Sequence, residues 1–329
     1  MSRYSKQEFD DVIASETKWR EAIPLGKPLG FAARDCFPRY HGTVLRTARN
    51  DSWNELLFGV FDMSMTPKRA SRQQPIQIGL PGSGQAEPAI SIVIPTKNEE
   101  KLLERCLSQF TTEIRQRFAL ELIVSDGGST DDTIGIATAY ADSIATHEGA
   151  WRQTIAEGRN RGASLARADL LLFLNADTLL ADAAQFLERA QQRFAVDEGL
   201  AAIATRVEVF PEERRLSDRL FHAYFNRYVK ICNAFGLGMG RGECQIVRRK
   251  AFEALRGYNP GMAAGEDFDL YRRLRSIGSI RFDHALLVYE SPRRYRKYGY
   301  RHVYFDWIKN GFAVLLKNRS SDQVWEEVR

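Results

Sequence analysis

The sequence predicts an α/β protein with a mostly parallel sheet flanked by helices, and three observations carry that reading. Short apolar runs (Ile90–Ile94, Leu120–Val124 and Leu170–Leu174) alternate with segments of helical periodicity, the pattern of successive βαβ units. Each run is followed at once by polar, acidic or glycine residues, as happens where a strand ends at the ligand-binding edge of an open α/β sheet. At 329 residues, 44% hydrophobic and 27% charged, the chain has room for one large α/β domain with an appendage, or for two modest domains.

Residues 1–64 form an N-terminal extension. It carries helical signals around Gln7–Ala22 and an apolar patch at Leu56–Phe61, but nothing with the spacing of a site. Residues 65–88 are rich in Pro, Gln, Ser and Gly and are expected to form a linker. Inside it, Gly79-Leu80-Pro81-Gly82-Ser83-Gly84 has P-loop glycine spacing, but Gln85 and Ala86 stand where that loop needs Lys and Ser/Thr. The main domain is expected over 89–301, in a first half 89–180 and a second half 181–301. Within it Pro95 ends the first strand, and apolar spacing predicts a helix over Glu99–Phe110. Further helices are predicted over Asp132–Tyr140, over Ala156–Ala166 with a basic face (Arg159, Arg161), and over 267–277. A basic, aromatic helical segment, 302–329, closes the chain.

Composition narrows the function classes. No apolar run reaches the roughly 18 to 20 residues needed to span a bilayer, and the first residues do not resemble a signal peptide. The expectation is therefore a cytoplasmic protein. Cys36, Cys106, Cys232 and Cys244 have no zinc or redox spacing and read as free thiols. The net charge is +5, but Tyr271–Arg329 holds 13 Lys/Arg against 6 Asp/Glu, leaving the rest slightly acidic. A basic C-terminal segment after an acidic region points to an anionic partner.

Four motifs carry the chemistry. Pro95-Thr96 and Asn98-Glu99 follow the first strand. Asp126, Gly127 and Ser129 follow the second, where glycine lets the backbone turn closely against a ligand. A carboxylate there can accept from a uracil or guanine N–H or from ribose hydroxyls; equally, Asp126 and Ser129 can serve only to cap the next helix. Asn175-Ala176-Asp177 follows the buried Leu170–Leu174 run, where a carboxylate needs a cation or donors. Mg²⁺ or Mn²⁺ on Asp177 and diphosphate oxygens would satisfy it; the plain alternative is a cap on a helix starting at Leu179 or Leu180. Gly265-Glu266-Asp267 offers a carboxylate at a helix start, able to take a proton from an attacking hydroxyl or simply to complement the helix dipole.

In this order and spacing the motifs closely resemble the inverting family 2 glycosyltransferases, whose GT-A fold has a Rossmann-like sheet. The resemblance covers about residues 89–301. It implies base and ribose recognition by Glu99 and Asp126, with Pro95, Thr96, Asn98, Gly127, Ser129, Asn175 and Ala176 around the nucleotide and Arg159 or Asn160 on phosphate or ribose. Asp177 takes the metal position. Asn175 replaces the first acid of the D-x-D pattern, which predicts weaker metal binding than two carboxylates give. Asp267 is expected as the general base, with Glu266 orienting it or holding the acceptor. The glycine-rich loop around Gly240 and Arg241 is expected to line the acceptor pocket. Arg293, Arg294 and Arg296, interleaved with tyrosines, are expected on diphosphate or acceptor, or as a peripheral contact at the inner face of a membrane.

The implied donor is a nucleotide-sugar, UDP-linked first and GDP- or dTDP-linked next. The implied acceptor is a lipid-linked or cell-envelope glycan, with no nucleic acid involved. The chain lacks the Q-x-x-R-W motif of processive members, which favours single-sugar transfer. Two other classes compete. A sugar-nucleotide nucleotidyltransferase would need a glycine-rich basic loop where Thr96-Lys97-Asn98-Glu99 stands. A non-catalytic nucleotide-binding module would bind the donor without turnover.

Overall fold

The computed structural model describes residues 87–317. The expectations for 1–64, for most of the 65–88 linker and for 318–329 lie outside the described residues, as does Cys36.

Eight strands form one sheet among the described residues: β1 (Ile90–Thr96), β2 (Leu120–Asp126), β3 (Ser143–Thr146), β4 (Leu170–Leu174), β5 (Thr178–Leu180), β6 (Leu200–Val209), β7 (Cys244–Arg248) and β8 (Ser279–Glu290). Their order is β3-β2-β1-β4-β7-β6-β8-β5. Pairs β1–β2, β1–β4, β2–β3 and β6–β8 are parallel, while β7 runs against β4 and β6, and β5 runs against β8. The sheet is therefore mixed and mostly parallel, as expected.

β-Branched and leucine side chains alternate between two buried faces. From β1, Ile92 and Ile94 join one core with Leu122, Val124, Leu172 and Leu174, while Val93 joins the other with Ile123, Leu171 and Phe173. Strands buried on both faces need helices on both sides. The first core takes α1 (Leu103–Ser108) and α5 (Ala183–Val196), with α2 (Thr112–Arg117) and α3 (Thr133–Tyr140) beside it. The second takes α4 (Ile155–Ala163), α6 (Leu216–Ala234), α7 (Arg249–Ala254) and α8 (Glu266–Leu274). The chain continues through α9 (Arg293–Tyr298) into α10 (Tyr300–Lys317).

Three local expectations are corrected. β1 does not stop at Pro95 but runs to Thr96; the ladder to β4 has already ended at Val93, so the missing proline N–H interrupts little. The Glu99–Phe110 helix is regular only from Leu103, because Asn98 adopts φ 52° and the Glu99 amide bonds the Thr133 hydroxyl across the loop. Thr178–Leu180 is not a helix start but strand β5, paired with Val288–Glu290; the helix begins at Ala183, capped by Asp182. Cys106, Cys232 and Cys244 are buried free thiols, as expected.

The topology gathers many chain segments at one edge. The ends of β1, β2, β4 and β8 lie there together with the starts of the reversed strands β7 and β5, since Leu174 pairs with Cys244 and Thr178 with Glu290.

Candidate functional site

On the β1–β2 side of this edge, Thr96 and Asp126 are register partners. Asp126 is fully buried. One of its oxygens accepts from the amides of Gly128 and Ser129, both at 2.8 Å, and the other from the hydroxyls of Thr96 and Ser129. It thus holds the Gly127–Ser129 turn and reaches no solvent. Gly128 needs its φ of 83°, a conformation that L side chains rarely adopt. Asn98 joins the two loops: its amide donates to the Ser129 hydroxyl at 2.7 Å and its side-chain oxygen accepts from the Thr130 amide. Lys97, unassigned by sequence, donates to the Gly127 and Gly128 carbonyls at 2.9 Å.

Beside β1, the segment after β4 presents Asn175 and Asp177, both half-buried. Asp177 lies 3.0 Å from an Arg293 guanidinium nitrogen, and the same guanidinium meets Glu99 at two points, 2.9 Å each. Arg293 comes from α9, just past β8, so β8 and β5 carry it to the end of β1. No group of three or more His, Cys, Asp or Glu side chains is placed to hold a metal among the described residues. One carboxylate fits a divalent ion that takes its remaining oxygens from a diphosphate and water.

Opposite lies Arg159 on α4, whose start is fixed by a Thr154–Glu157 capping box. Arg159 is 1% exposed and donates to Glu266 (2.7 Å), to the Asn175 side-chain oxygen (3.0 Å) and to the Gly242 carbonyl (2.6 Å). One buried guanidinium therefore joins the β4 end, the glycine-rich loop and the start of α8. Gly265, with φ 77°, turns the chain into α8. Here the two acids diverge. Glu266 is buried and ion-paired. Asp267 is half-buried, and desolvation, with the adjacent Glu266 charge, pushes its carboxyl up to about 7 against the opposing pull of Arg159.

Other sequence candidates are turned inward. Asn160 bonds Tyr258 through both amide atoms, at 2.8 and 2.9 Å, and pins the Gly257-Tyr258 turn. Arg241, expected on acceptor or phosphate, is 2% exposed among Glu243, Glu290 and His222. Burial, helped by Arg241, pushes His222 down to about 3, so it stays neutral beside that guanidinium. Gly240 is buried against the Tyr271 ring, where a Cβ would meet it at 2.5 Å. Arg296 is bidentate on Asp218, and Tyr295 is buried on Glu290. Of the basic trio, Arg293 sits on the acids of this edge, and Arg294 is half-buried beside it.

Sequence reading missed a cavity of about 200 Å³ beyond β3, lined by His147, Trp151, Gln153, Glu157, Asn160, Arg161 and Pro260. Gln153 adjoins Gly127, and its buried amide nitrogen has no hydrogen-bond partner among the described residues. Trp151, 60% exposed two residues after Gly149, was the available signal.

Comparison with known proteins bears on the family and the fold. The family profile described as Glycosyl transferase family 2 matches residues 91–256, half of the chain. Validoxylamine A glucosyltransferase of Streptomyces hygroscopicus subsp. limoneus is 36% identical over 103 residues, 30% of this chain and 23% of the relative. The chain thus spans about a quarter of that curated relative's length. Glycosyltransferase AglE of Haloferax volcanii is 32% identical over 206 residues, 61% of this chain and 66% of the relative. Among solved structures, the mannosyltransferase PcManGT from Pyrobaculum calidifontis, in complex with GDP-Man and Mn²⁺, superposes with a TM-score of 0.56 at 18% identity, over 78% of this chain and 70% of that one. That likeness is one of fold, the GT-A arrangement. With its strand-end motifs inside the matched region, the chain belongs to glycosyl transferase family 2.

Proposed function

We propose that this chain is an inverting glycosyltransferase that moves one sugar from a nucleotide-diphosphate sugar, UDP-linked first, to an acceptor hydroxyl on a lipid-linked or cell-envelope glycan. One observation carries the reading. Glu99, Asp126 and Asp177 lie at or just past the ends of three adjacent parallel strands, and Arg159 ties the Glu266-Asp267 pair to the same edge through Asn175.

Each group then has a task that its surroundings suit. The Asp126-organised turn offers backbone groups to the nucleoside, and Glu99 and Asn98 border it. Asp177 would hold Mg²⁺ or Mn²⁺, which, when bound, neutralises charge on the departing diphosphate. Arg293, already at Asp177, would face the same phosphates. Glu266 is ion-paired with Arg159 and is spent structurally. Asp267 is half-buried, with a carboxyl near 7, and can take the acceptor hydroxyl's proton as that oxygen attacks the anomeric carbon, opposite the leaving diphosphate.

The test is hydrolysis of UDP-, GDP- and dTDP-sugars by the full chain, with Mn²⁺ and with EDTA, beside Asp177→Ala. One donor consumed only with metal, and spared by the variant, supports the reading. Thermal stabilisation by a nucleotide with no turnover on any acceptor favours a binding module instead.

A further inference from the structure

Helix α6 is buried on one side and bare on the other. Its inward residues, among them His222, Phe225, Val229 and Cys232, pack on the core. At 100° per residue, Leu216, Leu220, Tyr224, Tyr228, Ile231 and Phe235 fall within one arc of about 120° on the opposite side. All six are exposed, Phe235 by 80%. Exposed large apolar residues scattered singly need no explanation, but a continuous stripe along a 19-residue helix does.

Two further observations say what covers the stripe. First, it widens onto a second element: the Tyr224 and Tyr304 hydroxyls bond at 2.8 Å, and Phe305 on α10 is 62% exposed. Second, its charge has one sign. Arg219, Arg227 and Lys230 are exposed alongside the stripe. The helix's one acid, Asp218, is turned inward, where Arg296 and Tyr300 hold its carboxylate down to about 2. The exposed acids Glu212 and Glu213 lie ahead of the helix, Glu212 paired with Arg105; on α6 itself the apolar stripe is bordered by cations alone, which matches the headgroup region of an anionic bilayer. No described helix is long and apolar enough to cross a membrane, so this face lies on the surface rather than spanning it.

We infer that the outer face of α6, extended by Phe305 of α10, is a docking surface for anionic lipid membranes. This relocates the membrane contact expected of the Arg293–Arg296 segment, where Arg293 and Arg296 are bound to protein carboxylates. The face also has a bearing on the site, because α6 leads through the glycine-rich loop to Gly242, which Arg159 holds. The inference rests on exposure and charge, and stands whether or not the proposed reaction is correct.

The test is co-sedimentation of the full chain with phosphatidylcholine vesicles, with and without about one-third phosphatidylglycerol. Wild type should bind the mixed vesicles, release at high salt, and bind pure phosphatidylcholine at least about tenfold more weakly. Leu220→Glu/Phe235→Glu should lower partitioning to mixed vesicles about tenfold or more, and Arg219→Glu/Arg227→Glu/Lys230→Glu should do likewise. Melting temperature and nucleotide-sugar hydrolysis should stay at wild-type values in both. Failure of the full chain to bind mixed vesicles overturns the inference, as does unchanged binding by the stripe variant. So does equal binding to both vesicle types. A solution dimer that the stripe variant splits, without vesicle binding, assigns the face to a second copy instead.

Discussion

Arg293 meets the Glu99 carboxylate with both terminal nitrogens, each 2.9 Å from an oxygen, although the two residues lie 194 positions apart. The same guanidinium is 3.0 Å from Asp177, so a single cation separates two acids at the ends of neighbouring strands. Arg293→Ala leaves both acids facing each other, Glu99 nearly buried. We expect a loss of about 1–3 kcal/mol in urea unfolding, the scale of a charge-assisted contact at a partly buried site. Arg293→Lys should recover only part of it, because an ammonium cannot make the two-point contact. An unchanged unfolding midpoint for Arg293→Ala would mean that solvent already screens the pair.

Asp267 sets a pH dependence whose sign differs for activity and for stability. As a base it must be ionised, so kcat/KM should rise with pH through about 7 and level off above. Asp267→Asn should lower kcat about 10²- to 10⁴-fold. For stability, the folded carboxyl lies above its ordinary value of 3.8, so the folded state holds a proton that the unfolded chain has released. Stability is then lost as pH rises from about 4 to 7. Asp267→Asn should unfold at higher denaturant than wild type at pH 8 and at equal denaturant near pH 4. A pH-independent difference would remove Asp267 as the titrating group.

Arg159 is expected to be the costliest buried connection at this edge to lose. Its removal leaves Glu266 buried without its cation and the Gly242 carbonyl and Asn175 oxygen without a donor. Breaking a buried pair by removing one partner costs about 3–5 kcal/mol. Arg159→Ala should therefore unfold at much lower urea than Glu266→Gln, which keeps a hydrogen-bonding side chain opposite the guanidinium. Because Arg159 pulls the Asp267 carboxyl down, a foldable variant such as Arg159→Lys, with a weaker hold, should shift the activity profile to higher pH. A shift to lower pH would contradict this arrangement.

What the sequence made legible was local. The β1, β2 and β4 runs, their polar ends and the glycine before Glu266-Asp267 are contiguous signals, each enforced within a few residues by burial or by a turn. Thr178–Leu180 was not legible, because its strand character comes from pairing with Val288–Glu290, more than a hundred residues on. The partners of Arg293, Arg241 and Arg296 were equally hidden. A basic residue reads as solvated or anion-binding until the topology brings Glu99, Glu290 and Asp218 to these three. The α6 stripe has visible helical spacing, but both faces of that helix are rich in apolar residues, and spacing alone does not say which one the core takes.

Gly162 offers a last check, on how closely α4 carries Arg159 over the sheet. A Cβ built at Gly162 would lie 2.4 Å from Val93 Cγ1 and 3.2 Å from Ser125 Cβ. Helix propensity favours alanine over glycine by about 1 kcal/mol in a helix interior. Here the opposite should hold, because a valine branch fixed inside a strand buried on both faces has little room to withdraw. Gly162→Ala should destabilise the fold by about 1–3 kcal/mol, the usual range for overpacking, measured by urea unfolding. Val93→Ala, which removes the branch that the new methyl would strike, should make the added Gly162→Ala substitution less harmful than it is in wild type. Strictly additive effects would mean that α4 shifts as a body to relieve the contact, and the Arg159–Glu266 distance of 2.7 Å would then be expected to lengthen with it.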